Sequence, residues 1–422
     1  MALPPYRQLV VVDEREGESP AEPIRPPFQL RESVGPLITS NEELSRVSDI
    51  LSAGSGPLAL DAERASGFTY SQRAYLIQVR REGAGTGLID PLGITDFAPL
   101  ADVARETEWI LHAATQDLEC LREIGLVPQR LFDTELAGRL LGRERVGLAG
   151  LIESELGEVL TKGHGAANWS MRPLTPEMIT YAALDVELLI ELRNSLEISL
   201  REDDKWHIAE QEFAYLVGWQ PKAQSPEAWR RTSGVHAIRS PRSRARVREL
   251  WISRDDLARR RDTAPGRFIP DRAIVAAAKN NPSSIEELFS IKEFNGRGAK
   301  RYERVWWDAI QRARSLPESE LPGPPPRSDA PPPPRAWAEK NPAAYARLEF
   351  IRSQTAAISE KLSIPVENLM VPDLVRRIAW DEPETSEIGL RERLANAGAR
   401  PWQIDLVAPV LWESRNVTPA EE

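Results

Sequence analysis

The stretch LALDAERASG, residues 58–67, starts as an apolar run and ends in two acids, Asp61 and Glu63, separated by one alanine. Side chains at i and i+2 of a strand point to the same side, so these carboxylates sit together and repel one another. Either water screens that repulsion or a cation balances it. Two further acids stand at positions that local structure should present. Asp117, in LHAATQDLECLREIG, follows a strand expected over 108–112 and opens a helix, where the helix dipole alone favours an acid. Tyr181 and Asp185 lie four residues apart in TPEMITYAALDVELLIEL, hence on one face of a helix with Thr175 as N-cap and Pro176 at its first position. Singly, each has an ordinary explanation: an acid in a first turn, or a tyrosine and an acid meeting water.

As an ordered set they carry more. Asp61 and Glu63 on a first strand, Asp117 after a later strand, and Asp185 on a final helix with Tyr181 one turn before it resemble the DEDD superfamily of 3′-5′ exonucleases. The tyrosine is the mark of one subgroup; the sister subgroup has a histidine five residues before the last aspartate, where this chain has Thr180. HAATQDLECL, LFDTELAGRLLG and the long run LGEVLTKGHGAANWSMRPLTPEMITYAALDVELLIEL are similar to the ribonuclease D family, over about residues 40–200. Where that family often has an aromatic after the glutamate and a threonine between the two acids, this chain has Arg64 and Ala62.

The resemblance implies an α/β, ribonuclease H-like mixed-sheet exonuclease domain working as a metal-dependent exoribonuclease. Asp61, Glu63, Asp117 and Asp185 would be the metal ligands, with Asp61, Glu63 and Asp185 on the nucleophile-side ion and Asp61 and Asp117 on the other. Tyr181 would orient the attacking water. Elementary chemistry agrees with such a set. Four crowded carboxylates raise one another's pKa unless cations balance them, and hard oxygen donors without paired His or Cys favour Mg²⁺ or Mn²⁺ over zinc. Two such ions about 4 Å apart can clamp an in-line displacement at phosphorus.

Substrate contacts are expected around the loop KGHGAANWSMRPL, residues 162–174. Lys162 and Arg172 are cations that could meet phosphates; Trp169 either packs on the core or touches substrate; Gln78 would contact the terminal nucleotide by family likeness; His112 reads as structural. Residues 244–312 resemble the HRDC domain shared by ribonuclease D and some helicases, with a Gly-Arg-Gly turn at 296–298. Lys300 and the upstream arginines would bind phosphate, or form a solvated face or protein-contact module. Segment 337–415 looks like a second, HRDC-like helical domain.

The elements that must position these residues follow from patterning. The runs PLALDAE, AYLIQVR and TGLID predict an antiparallel meander, and the later alternation predicts a parallel addition, hence a mixed α/β sheet over 35–205. A helical connector at 206–238, an all-α HRDC domain at 239–316 and a further helical domain follow. Between the last two lies PESELPGPPPRSDAPPPP, with nine prolines in eighteen residues, which predicts an extended spacer over 317–336. Residues 1–34, rich in Pro, Glu and Arg, read as a mobile tail.

Composition narrows the function class. The chain of 422 residues has no apolar run approaching the span of a bilayer. Its start lacks an export-signal pattern, and its one cysteine, Cys120, cannot form an intrachain disulfide, so a cytoplasmic protein is expected. Net charge is -10, which argues against nucleic acid on average, yet nine arginines face only Glu249, Asp255 and Asp256 between 239 and 261. A helicase reading, suggested only by the HRDC resemblance, fails because no GxxxxGK[ST] loop is present to cradle ATP phosphates, so no ATP partner is expected. The function expected is 3′-5′ exoribonucleolysis of tRNA precursors or other structured RNA 3′ ends, releasing 5′-mononucleotides, with two helical modules holding the RNA body. The alternatives are a DNA exonuclease in repair or proofreading, separated by recognition of the 2′-OH, and a non-catalytic RNA-binding scaffold, disfavoured by the complete acid set.

Overall fold

The computed structural model describes residues 26–160, 163, 167–223, 225–325 and 329–419. Five strands form one sheet: β1 (Ser55–Arg64), β2 (Ala74–Glu82), β3 (Gly85–Ile89), β4 (Glu108–Leu111) and β5 (Arg130–Asp133), in the order β3-β2-β1-β4-β5. The first three pair antiparallel, whereas β4 and β5 add parallel to β1, which is the mixed sheet that the strand spacing predicts. Alternation along β1 decides the layers. Leu58, Leu60 and Ala62 pack under α1 (Asn41–Ala53), α2 (Ala98–Glu106) and α3 (Leu118–Glu123). The opposite face, with Ala59, Ile110 and Phe132, packs on α4 (Thr134–Leu140), α5 (Leu148–Leu156), α7 (Leu189–Glu202) and α8 (Trp206–Val217). Leu76 and Leu88 on that face meet Met178, Ala182 and Ala183 of α6 (Pro176–Glu187).

α6 begins as its sequence predicts. The Thr175 hydroxyl accepts from Met178 N at 3.3 Å and Pro176 occupies the first turn. The expected single helix over 175–192 is instead broken at Leu188, whose φ/ψ of -111°/7° lies outside the helical region, and α7 starts afresh.

Residues 241–315 form a helical domain of α9 (Pro241–Arg261), α10 (Asp271–Asn280), α11 (Ile285–Ser290), α12 (Arg297–Arg301) and α13 (Glu303–Ser315) around Leu250, Ile274, Phe294 and Trp306. The expected Gly-Arg-Gly turn opens α12 instead, with Gly296 as its N-cap. The last domain comprises α14 (Trp337–Lys340), α15 (Pro342–Leu362), α16 (Val366–Leu369), α17 (Pro372–Trp380), α18 (Glu387–Asn396) and α19 (Pro401–Glu413).

The mobile tail was expected to run to residue 34, but Phe28 N donates to Val159 O at 2.7 Å, and Leu30 and Val34 pack beside α6; residues 1–25 lie outside the described residues. The proline segment does not hold the last domain at a distance. The core containing α4, α7 and α8 runs without a break into Trp337, Leu348, Ile351, Val407 and Leu411. Gly142 marks the closeness of that contact: it has φ +69°, and a Cβ there would lie 2.4 Å from Ser363 O. A buried polar cluster orients the two partners. The Arg400 guanidinium donates to both carboxylate oxygens of Glu212 at 2.6 and 2.8 Å, and the Trp402 indole donates to the same group at 2.7 Å.

Removing one partner of such a pair strands the other's charge, so Glu212→Ala is expected to cost about 3 kcal/mol. The check is the urea midpoint read by tryptophan fluorescence; a wild-type midpoint in the variant would show that the pair carries no docking energy.

Candidate active site

Asp61 and Glu63 leave the β1 ladder on the face opposite Leu60 and Ala62, near the strand's end. The register with β2 shifts between Glu63 and Arg64, an irregularity of the bulge type that breaks the alternation. Arg64 therefore lines the same cleft as the two acids. No hydrogen bond or ion pair from its guanidinium is found among the described residues, although its charge lies close enough to favour ionisation of Asp61, Glu63 and Asp117.

Asp117 arrives by a different route. After β4 the chain passes through His112, then Ala113 in the left-handed region at φ 57°, then a single 3₁₀ turn at Ala114–Gln116. A left-handed alanine is strained and needs an outside hold. Asp133, at the end of β5, supplies it: its carboxylate accepts from Ala113 N at 3.1 Å and Ala114 N at 2.8 Å while also capping α4 through Leu136 N. Asp117 sits at the N-cap position of α3 without accepting a capping hydrogen bond, so its carboxylate is turned to the cleft. Sequence reasoning passed over Asp133, although the acid before Thr134 in LFDTEL is the visible signal.

α6 completes the set. Tyr181 and Asp185, one turn apart, hydrogen-bond to each other. The five expected residues, Asp61, Glu63, Asp117, Tyr181 and Asp185, thus line one cleft of about 400 Å³. Carboxylate oxygens of Asp61, Glu63 and Asp185 lie within 4.8 Å of one another, close enough to share a hard cation.

Electrostatics in the cleft are unfavourable to bare acids. Burial pushes the Glu63 carboxyl up to about 9, aided by the charges of Asp61, Asp185 and Asp117. Burial likewise lifts Asp61 to about 6, and holds Asp117 and Asp185 well above the ordinary range, with Asp61 adding to both. Burial and the neighbouring acids also raise the Tyr181 phenol, which stays protonated. His112 is pushed down to about 4 by burial, and its Nδ1 lies 2.9 Å from Thr134 Oγ1. It is a neutral wall residue of the cleft. A set of acids that cannot ionise together in water-poor surroundings, made of hard oxygens alone, fits a divalent cation.

The expected substrate contacts fare differently. Trp169 is fully enclosed and its ring lies tilted by 38° against that of Tyr181 with centroids 6.3 Å apart, so it takes the core reading and supports the tyrosine from behind. Arg172 does not point at a phosphate site. Its guanidinium grips Asp90 at 2.5 and 2.9 Å, and donates to the carbonyls of Tyr75, Trp169 and Met171 at 2.7 to 2.8 Å, which uses its donors to pin the 167–174 loop to the sheet. Gln78 pairs across the ladder with Asp61, and its side chain is fully buried on the face that α6 covers, with neither amide atom hydrogen-bonded among the described residues. Lys162 lies outside the described residues. Its neighbour Gly163 packs on the tyrosine, where an added Cβ would come within 2.9 Å of Tyr181 Cδ2.

Comparisons with known proteins bear on this geometry. Residues 37–201 match the family described as 3′-5′ exonuclease, residues 243–310 the HRDC domain, and residues 330–414 the 3′ to 5′ exonuclease C-terminal domain. The last is the segment expected to be a second HRDC-like domain. Ribonuclease D of Escherichia coli is 31% identical over 293 residues, 68% of this chain and 77% of that protein. Ribonuclease D of Nitrobacter hamburgensis is 26% identical over 82% of this chain and 88% of its own length. Among solved structures, a protein from Bifidobacterium adolescentis matches at 36% identity with a TM-score of 0.84, covering 92% of this chain and 98% of that one. Escherichia coli RNase D, described as an exoribonuclease involved in structured RNA processing, matches at 26% identity and TM-score 0.67, over 92% of this chain and all of that one.

The raised carboxyls have a consequence for stability. A folded pKa near 9 against an ordinary 4.5 means that the folded state holds the Glu63 proton longer than the unfolded state. The stabilisation from that proton is complete below about pH 4 and is lost as pH rises toward 9. In chelator, the wild-type melting temperature is therefore expected to fall relative to that of Glu63→Gln, with the gap widening from pH 5 to 9. Added Mg²⁺ should raise the wild type more than the variant. Parallel melting curves across that range would contradict the electrostatic assignment.

Proposed function

The chain belongs to the ribonuclease D family of 3′-5′ exonucleases, and on that premise we propose that it hydrolyses RNA from the 3′ end, releasing 5′-mononucleotides, with structured RNA such as tRNA precursors as substrate. The observation that carries the proposal is the convergence of four carboxylates and Tyr181 in a single cleft, in a chain whose similarity extends through both helical domains to an exoribonuclease described as processing structured RNA. A cytoplasmic setting accompanies this reading, and no helix among the described residues is long and apolar enough to cross a membrane.

In this reading Asp61, Glu63 and Asp185 would hold one divalent ion, and Asp61 with Asp117 a second, each Mg²⁺ or Mn²⁺. Such ions would supply water activation at neutral pH and charge neutralisation at a leaving oxygen. The chain's own groups do the rest. Tyr181 keeps its proton, so it orients the incoming water by hydrogen bonding and does not act as its base. Its hydrogen bond to Asp185 and the Trp169 ring behind it restrict the hydroxyl to one region of the cleft. Arg64 supplies a positive charge that forms no ion pair among the described residues, suited to an incoming phosphate.

The test uses purified protein with Mg²⁺ and matched 3′-tailed RNA and DNA. The wild type is expected to shorten RNA stepwise and faster than DNA. Asp61→Asn and Asp185→Asn are expected to lose hydrolysis by at least a thousandfold while still retaining RNA in a gel shift, since removing an essential charge partner removes stabilisation made only in the transition state. Full activity in either variant would overturn the site assignment; a preference for DNA would overturn the substrate.

A further inference from the structure

Arg64 leaves this cleft without an aromatic side chain directly after Glu63. An aromatic ring reaches the cleft from elsewhere. Phe68, on the loop between β1 and β2, lines the same space as the carboxylates. Of the other aromatic side chains there, Tyr181 is engaged with Asp185 and His112 with Thr134. Phe68 has no polar task of that kind; it packs against the buried cluster that contains Trp169 and Met178, yet the residue is only half-buried and the rest of it lines the cleft.

The first helical domain holds this ring in place. The Arg267 guanidinium lies over the Phe68 ring, 4.3 Å from its centroid, and Arg267 Nε donates to Gly67 O at 3.0 Å. Ala264 N donates to Phe68 O, also at 3.0 Å. Arg267 is in turn braced by α12, where a Cβ on Gly298 would lie 2.5 Å from Arg267 O. Farther along the same loop, the Asp262 carboxylate accepts from Ser71 N at 2.8 Å, Ser71 Oγ at 3.1 Å and Tyr75 Oη at 3.3 Å. Tyr70 Oη donates to Asp255 at 3.1 Å. A loop that walls the cleft is thus anchored at several points by a domain that contributes no carboxylate to it.

A guanidinium on one face of a ring fixes its plane and leaves the ring able to stack on a second flat group. Nucleobases take such platforms whatever their identity, because every base offers a π face. We propose that Phe68, pinned by Arg267, is the platform for the base of the 3′-terminal nucleotide, which makes Arg267 of the helical domain a positioning residue of the active site. The proposal rests on the nuclease reading above and names the subsite that seats the nucleotide to be removed.

The experiment compares steady-state hydrolysis of a single-stranded oligoribonucleotide ending in adenosine with the same oligonucleotide ending in an abasic ribose. On the adenosine end, Phe68→Leu is expected to raise KM about tenfold with kcat within about twofold of wild type, Phe68→Trp to restore KM, and Arg267→Gln to give a smaller rise. On the abasic end, wild type and Phe68→Leu should agree within about twofold. Equal KM for wild type and Phe68→Leu on the adenosine end overturns the platform, as does an equal loss on both substrates, which would mark Phe68 as purely structural. Cleavage of DNA in place of RNA by the wild type would defeat the substrate reading alone, and the same pair of ends built in DNA would then decide the platform.

Discussion

Four carboxylates enclosed in one cleft repel one another, and a large part of the surrounding structure holds them together against that repulsion. The sheet contributes two of them by its pleat: Asp61 and Glu63 cannot separate without breaking the ladder with β2. The other two are brought in by groups that are themselves clamped. Asp133 holds the left-handed Ala113 that aims Asp117, and Tyr181 ties Asp185 to the first turns of α6. Raised carboxyl pKa values are the energetic record of this arrangement. A fold that concentrates like charges at a stability cost is consistent with a site completed by cations.

The same logic explains why the helical domains are not appendages. One shares a continuous core with α4, α7 and α8, and the other fastens the loop that walls the cleft. Their arginines are employed accordingly. Arg244, Arg246 and Arg254 of the basic run are buried, with Arg246 donating to Ala278 O and Arg254 to Ile269 O and Asp271. Only Arg239 and the group Arg259–Arg261 at the end of α9 are exposed, and Arg259 already pairs with Asp255. The basic stretch that reads as a phosphate surface is to a large degree internal scaffolding, which matches the acidic balance of the chain as a whole.

Legibility followed the range of the interactions. The antiparallel meander with its parallel addition, the Thr175 cap, and the shared face of Asp61 and Glu63 all arise from periodicity and nearest neighbours, and all were readable. Trp169, Arg172 and Gln78 were not, because a tryptophan, an arginine or a glutamine has the same letter whether it faces a nucleotide or an interior partner. Their environments are set by Asp90, Tyr181 and the cover of α6, which lie far away in the chain. The break at Leu188 and the packing of residues 28–34 escaped for the same reason.

By itself, then, the sequence determined the mixed sheet and the helical remainder, since residue type and short spacing carry that information, while the acids and their tyrosine stood out as a set only through the resemblance of their order along the chain to a known superfamily. Only the tertiary structure decided which cations are free and which are consumed, that Arg64 shares the acids' cleft, and that Phe68 stands there under Arg267. Those outcomes depend on a strand irregularity and on contacts between segments about two hundred residues apart, and no local pattern encodes the geometry of surfaces that meet only when the chain has folded.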